Sequence, residues 1–131
     1  LRLFRQMVKK NGTSLIIITH DLGVAAELAD RVLVLYNGER MEERLVNDFF
    51  RSPQHPYSKG LLKARPHHFN GRFGVIEGNT KTTSIPKNSC IFFKRCIESS
   101  DICMKKNPPD VNFPNGVVRC WRLQMSLPER T

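Results

Sequence analysis

No stretch of this 131-residue chain is apolar for long enough to cross a membrane. A helical span needs about 20 consecutive apolar residues, and the run Leu15–Ile18 is four. Nothing in the chain reads as a cleavable leader. The sequence therefore predicts a soluble, cytoplasmic protein. Acidic residues are scarce, at 12 Asp and Glu against 21 Lys and Arg, for a formal net charge of +9. The excess is spread: residues 1–65 hold 11 basic and 7 acidic side chains, and residues 87–122 hold 7 and 3. A nucleic-acid footprint clusters on one face or in one run, so no nucleic acid is expected as a partner. A basic binder whose affinity falls with salt is the weakest alternative. Trp121 is the only tryptophan.

The elements present alternate between helical and extended patterns. Leu1, Phe4, Met7 and Val8 share one helical face over residues 1–10, which Asn11-Gly12 can end in a left-handed turn. Residues 14–19 are apolar on both faces, as a strand in a helix-covered parallel sheet must be. Asp21 can cap a helix over 22–29. Residues 31–36 and 39–44 read as two strands joined by Asn37-Gly38, the dipeptide of a type I′ hairpin turn. A short helix over 46–51 stops at Ser52-Pro53, and Pro56 suits the first turn of another helix carrying Tyr57, Leu61 and Leu62. Periodicity fails from residue 66, where Gly71, Gly74 and Gly78 mark a linker over 66–89. His67-His68 in that linker reads as a solvated pair. Residues 90–122 hold all four cysteines and too few apolar residues for a large core of their own. Residues 123–131 form a tail.

The order strand, Thr19-His20-Asp21, short helix, strand, Asn37-Gly38 resembles the switch-histidine region of ABC-transporter ATP-binding subunits. The segment Ser52-Pro53-Gln54-His55-Pro56-Tyr57-Ser58-Lys59-Gly60-Leu61-Leu62 is similar to one found in the oligopeptide, dipeptide and nickel importers of that group. Their ATP-binding subunits continue into an extension with four spaced cysteines, as this chain does. The resemblance covers about residues 1–122. It implies an α/β fold: the C-terminal part of an ABC ATPase domain over 1–65, with parallel strands, helices and then a β-hairpin, followed by a small irregular Cys-rich module over 90–122. It also implies a catalytic role for His20 at the γ-phosphate of ATP in a complete subunit. An imidazole can donate to a phosphoryl oxygen. The other parts of such a site are a G-x-x-x-x-G-K-[ST] loop, an acidic strand end for Mg²⁺ and a Ser-Gly-Gly signature, and none is in the sequence. ATP and Mg²⁺ are thus expected only in the complete subunit, and this chain alone is not expected to hydrolyse ATP.

Three departures from the family pattern stand out. Arg44 occupies the place of a glycine after the return strand, Lys94 replaces a proline before Arg95-Cys96, and Gly116 replaces a histidine ahead of the last cysteine.

Cys90, Cys96, Cys103 and Cys120 are separated by five, six and sixteen residues. Four thiolates can hold tetrahedral Zn²⁺ or a [4Fe–4S] cluster. The residues alone also allow four reduced thiols. The resemblance implies the cluster. Lys94, Arg95, Lys105, Lys106, Arg119 and Arg122 lie close in sequence and could offset its net negative charge, whereas structural zinc sites usually use paired short spacings that are missing here.

The sequence thus predicts the C-terminal fragment of an ATP-binding subunit that drives peptide or nickel import. Its partners would be membrane permease subunits and a second ATP-binding subunit, and its place the cytoplasmic face of the cell membrane. The rivals are a stand-alone iron–sulfur or zinc docking module and a gene remnant without function. Without strands to flank residues 15–18, marginal stability or aggregation through an exposed strand edge is expected.

Overall fold

The computed structural model describes residues 1–64 and 85–126. Helix α1 spans Arg2–Asn11 and ends at Gly12, whose φ of 60° is the left-handed conformation that glycine adopts at little cost. No residue of α1 is buried. Helix α2, Leu22–Leu28, is capped by Asp21: its Oδ1 accepts from the Gly23 N–H at 2.7 Å and the Val24 N–H at 3.3 Å.

Residues 14–19 do not form the expected strand. Ile16 and Ile18 are 90% and 97% exposed, and Leu15 and Ile17 are more than two-fifths exposed. The physical reason is the lack of a neighbour. A strand is held by ladder bonds to another strand, and no described segment supplies one here. The expected parallel pairing is likewise not seen among the described residues, and the sheet that forms is antiparallel throughout.

That sheet begins with β1, Arg31–Tyr36, and β2, Glu39–Leu45. The turn between them has positive φ at Asn37 (48°) and Gly38 (82°), as the dipeptide predicts. Val34 pairs with Glu42 and Leu35 with Arg40, so Met41 is an extra residue on β2. The bulge breaks the alternation of faces, and Met41 and Glu42 are consecutive yet both buried, at 1% and 0% exposure. Helix α3 (Val46–Arg51) and helix α4 (Pro56–Lys63) follow at the predicted places.

Beyond residue 84 the chain makes a 3₁₀ turn at Phe93–Arg95, helix α5 at Asp101–Lys105, strands β3 (Asp110–Phe113) and β4 (Gly116–Arg119), and helix α6 at Trp121–Met125. Strand β4 pairs with both β3 and β2, so the sheet order is β1-β2-β4-β3. The cysteine-bearing segment is therefore not wholly irregular, because its hairpin completes a sheet begun by residues 31–45. Gly116 lies opposite Arg44 in this ladder, and a Cβ there would meet the Glu43 carbonyl oxygen at 2.0 Å. Only glycine fits. Val34, Met41, Phe49, Leu62, Cys90 and Phe92 form the core, and Val111 and Val118, paired across the second hairpin, are buried as well. The linker predicted from residue 66 lies outside the described residues as far as 84.

Candidate functional site

Three groups of residues carry chemistry. The first is Thr19-His20-Asp21. The Thr19 hydroxyl oxygen accepts from the Asp21 N–H at 2.9 Å, and Asp21 caps α2. His20 stands exposed at the head of that helix. The local turn is thus set by the residues on either side of the histidine.

The second group explains His55-Pro56-Tyr57. Burial, with the Lys59 ammonium adding to it, lowers the His55 pKa from 6.5 to about 4. The imidazole is therefore neutral, and its Nδ1 accepts the Tyr57 N–H at 3.0 Å as the N-cap of α4. Pro56 fills the first helical position, where no N–H is needed. The helix entrance is then closed from β2. The Glu42 carboxylate accepts the Gln54 N–H at 2.9 and 3.2 Å and the His55 N–H at 2.9 Å. Buried charge is tolerated only where such bonds replace water. Tyr57 stacks edge-on against Tyr36 at 5.0 Å, and Phe92 joins Tyr36, Tyr57 and His55 at 5.1, 5.2 and 5.8 Å. The motif is a structural lock: it ties β1, β2 and α4 to the segment that bears the cysteines.

The third group is the four free cysteines. The Cys90 N–H donates to the Cys103 carbonyl at 2.8 Å, which joins the first and third. Burial pushes the Cys90 and Cys96 thiols up to about 11, and the neighbouring thiols add to the rise. Burial also raises Cys120, with a further contribution from Cys103. Backbone hydrogen bonding opposes the rise, from Phe92 at Cys90, from Glu98 at Cys96 and from Arg122 and Leu123 at Cys120. The Ser100 hydroxyl lies 3.6 Å from Cys103 Sγ. Such donors favour a thiolate over a thiol. A single tetrahedral Zn²⁺ with bonds near 2.3 Å would hold its sulfurs roughly 3.8 Å apart. Among the described residues no three His, Cys, Asp or Glu side chains are gathered as the ligands of one metal ion.

Residues 41–103 match the model of the oligopeptide/dipeptide transporter C-terminal region. Over this stretch the chain is similar to that family. The span runs from Met41 in the bulge to Cys103 and contains the whole Glu42–His55–Phe92 lock. Similarity extends further in individual relatives. The oligopeptide transport ATP-binding protein AppD of Bacillus subtilis is 38% identical over 125 residues, 92% of this chain and 38% of that protein. The dipeptide transport ATP-binding protein DppD of the same organism is 39% identical over 124 residues, 92% of this chain and 37% of its own length. The oligopeptide transport ATP-binding protein OppD of Salmonella typhimurium is 35% identical over 124 residues, 93% and 37%. The chain thus spans a little over a third of the length of these relatives.

The sequence points to His20, His55 and the cysteines but not to Glu42. A lone glutamate in a strand reads as solvent-facing. Only the bulge turns it inward, and the pairing that places the bulge is not visible as a pattern. Phe92 meets Tyr36 and Tyr57 across more than 30 residues of sequence, a contact that no local pattern displays.

Proposed function

We propose that this chain supplies the C-terminal part of an ATP-binding subunit of an ABC importer that drives peptides, or nickel, through membrane permease subunits. The observation that carries this reading is the similarity over more than nine-tenths of the chain to peptide-transport ATP-binding proteins. Residues 1–65 furnish the switch-histidine part, and residues 90–122 the four-thiol module. In the complete subunit, paired with a second ATP-binding subunit on the cytoplasmic face of the membrane, His20 contacts the γ-phosphate of Mg-ATP. Its exposure at the head of α2 leaves the imidazole accessible to a nucleotide held by other residues. No helix among the described residues is long and apolar enough to cross a membrane, which agrees with a peripheral place.

Cys90, Cys96, Cys103 and Cys120 are proposed to hold a [4Fe–4S] cluster. What supports this is the donor set, four free cysteines, with the Cys90 and Cys103 backbones joined by a hydrogen bond of 2.8 Å. Such a cluster would cross-link a segment with few apolar residues. The residues' own part is to exclude water around Cys90 through Phe92.

The test is a chimera. This chain replaces the matching C-terminal segment of the Bacillus subtilis dipeptide relative, and uptake of labelled dipeptide and of nickel is measured in cells lacking the native subunit. Uptake of either that disappears in His20→Ala is the expected result. Uptake unchanged by His20→Ala overturns the role of the histidine, and no uptake by a folded chimera overturns the functional reading.

A further inference from the structure

The two faces of the sheet differ in content. One carries Val34, Met41, Glu42, Val111 and Val118, all buried. The other carries Arg31, Leu33 and Leu35 of β1, with Glu43 and Arg40 of β2 opposite the two leucines and Asp110 on β3. Leu33 and Leu35 are 53% and 52% exposed, although each is a large apolar side chain in the middle of a strand. The four charged residues are a third to a half exposed.

Those charges are ordered. Arg31 meets Glu43 at 2.8 Å, Glu43 meets Arg40 at 3.5 Å, and Arg40 meets Asp110 at 2.6 Å. A single row of alternating sign thus runs from β1 over β2 to β3. Exposed pairs of this kind contribute little to the fold by themselves. Their order has another use. A row of four alternating charges, turned end for end, presents the opposite sign at every position, so it is complementary to itself. The leucines follow the same symmetry, because Leu33 lies beside Glu43 and Leu35 beside Arg40.

We propose that this face is where two copies of the chain meet, across a two-fold axis that lies in the interface and crosses the row between Glu43 and Arg40. Such a contact requires a self-complementary patch, and the alternating row is one. Arg31 of one copy faces Asp110 of the other, Glu43 faces Arg40, and Leu33 packs on Leu35. The row also fixes the register, since sliding one copy by one position sets like charges against each other. The contact uses neither His20 nor the cysteines, and it stands apart from the exposed run at Leu15–Ile18.

The test is sedimentation velocity over a range of concentrations, on the full chain carrying Ile16→Ser and Ile18→Ser to suppress association through that run. At low salt a monomer–dimer equilibrium is expected, with dimer lost as salt rises, because screening weakens contacts between exposed charges. Association through apolar residues would not weaken in this way. Arg40→Glu and Glu43→Arg each set like charges across the axis and are expected to raise the dissociation constant about tenfold or more. An equimolar mixture of these two variants is expected to dimerise as the parent does, because one copy then brings two carboxylates and the other two guanidinium groups to the axis. Rescue by mixing separates a direct contact from loss of fold, which mixing does not repair. A parent that stays monomeric at low salt overturns the proposal, as does a dimer that neither reversal weakens, or a mixture of folded variants that stays monomeric. Where circular dichroism shows that a reversal unfolds the chain, Leu33→Ser with Leu35→Ser takes its place, and a parent-like dissociation constant there overturns the proposal.

Discussion

At the scale of the residue, His55 and Glu42 carry the most consequence. His55 caps α4 only while its Nδ1 holds a lone pair. In the unfolded chain its imidazole takes a proton near 6.5, and in the folded chain only near 4. Between those values the unfolded state binds more protons, so stability rises with pH through this window. The stabilisation is fully present above 6.5 and is lost as pH falls toward 4, by about 3 kcal/mol in all. Denaturant unfolding followed across this range should reveal that slope. His55→Ser keeps an acceptor at the cap without a titrating ring, and its curve should be flatter. An unchanged slope would assign the pH dependence elsewhere. Glu42→Ala strips a buried partner from the N–H groups of Gln54 and His55. It is expected to cost about 3 kcal/mol in the same measurement, whereas loss of the exposed Arg31–Glu43 pair in Glu43→Ala should cost under about 1 kcal/mol.

At the scale of the element, the sequence was most legible where local chemistry decides. The Asp21 cap, the Asn37-Gly38 turn, the helix over 46–51 and Pro56 at a helix start all need only neighbours within a few residues, and all stand in the structure. What escaped depends on distant partners. The run 14–19 has the composition of a buried strand but no strand beside it among the described residues. The second hairpin was hidden because Asp110–Phe113 and Gly116–Arg119 are four residues each, too short for a period to register. Two residues meet in space across the sheet. Arg44 is large and packs its guanidinium over Phe113 at 5.3 Å, and Gly116 lies opposite it with no room for a side chain. A large and a small residue are thus matched across one ladder position. Gly116→Ala should force β4 away from β2 and lower stability by about 2 kcal/mol or more. A parent-like unfolding midpoint would show that β2 can shift without cost.

At the scale of the whole molecule, one sheet holds together two segments that composition alone would divide. Residues 31–64 and 85–119 share the ladder of β2 with β4 and the aromatic contacts of Phe92. Exposed apolar side chains are most concentrated at residues 1–7 and at Leu15–Ile18. Apolar residues without a partner associate with one another, so the isolated chain is expected to aggregate in proportion to its concentration. Ile16→Lys with Ile18→Lys should lower light scattering without moving the unfolding midpoint. Unchanged scattering would locate the sticky surface elsewhere. Iron, zinc and acid-labile sulfide content of the anaerobically purified chain tests the central claim most directly, namely that the four cysteines remain a working site. About four iron and four sulfide per chain, lost in Cys103→Ser, is the predicted result. Zinc alone, or no metal after reconstitution, would contradict it.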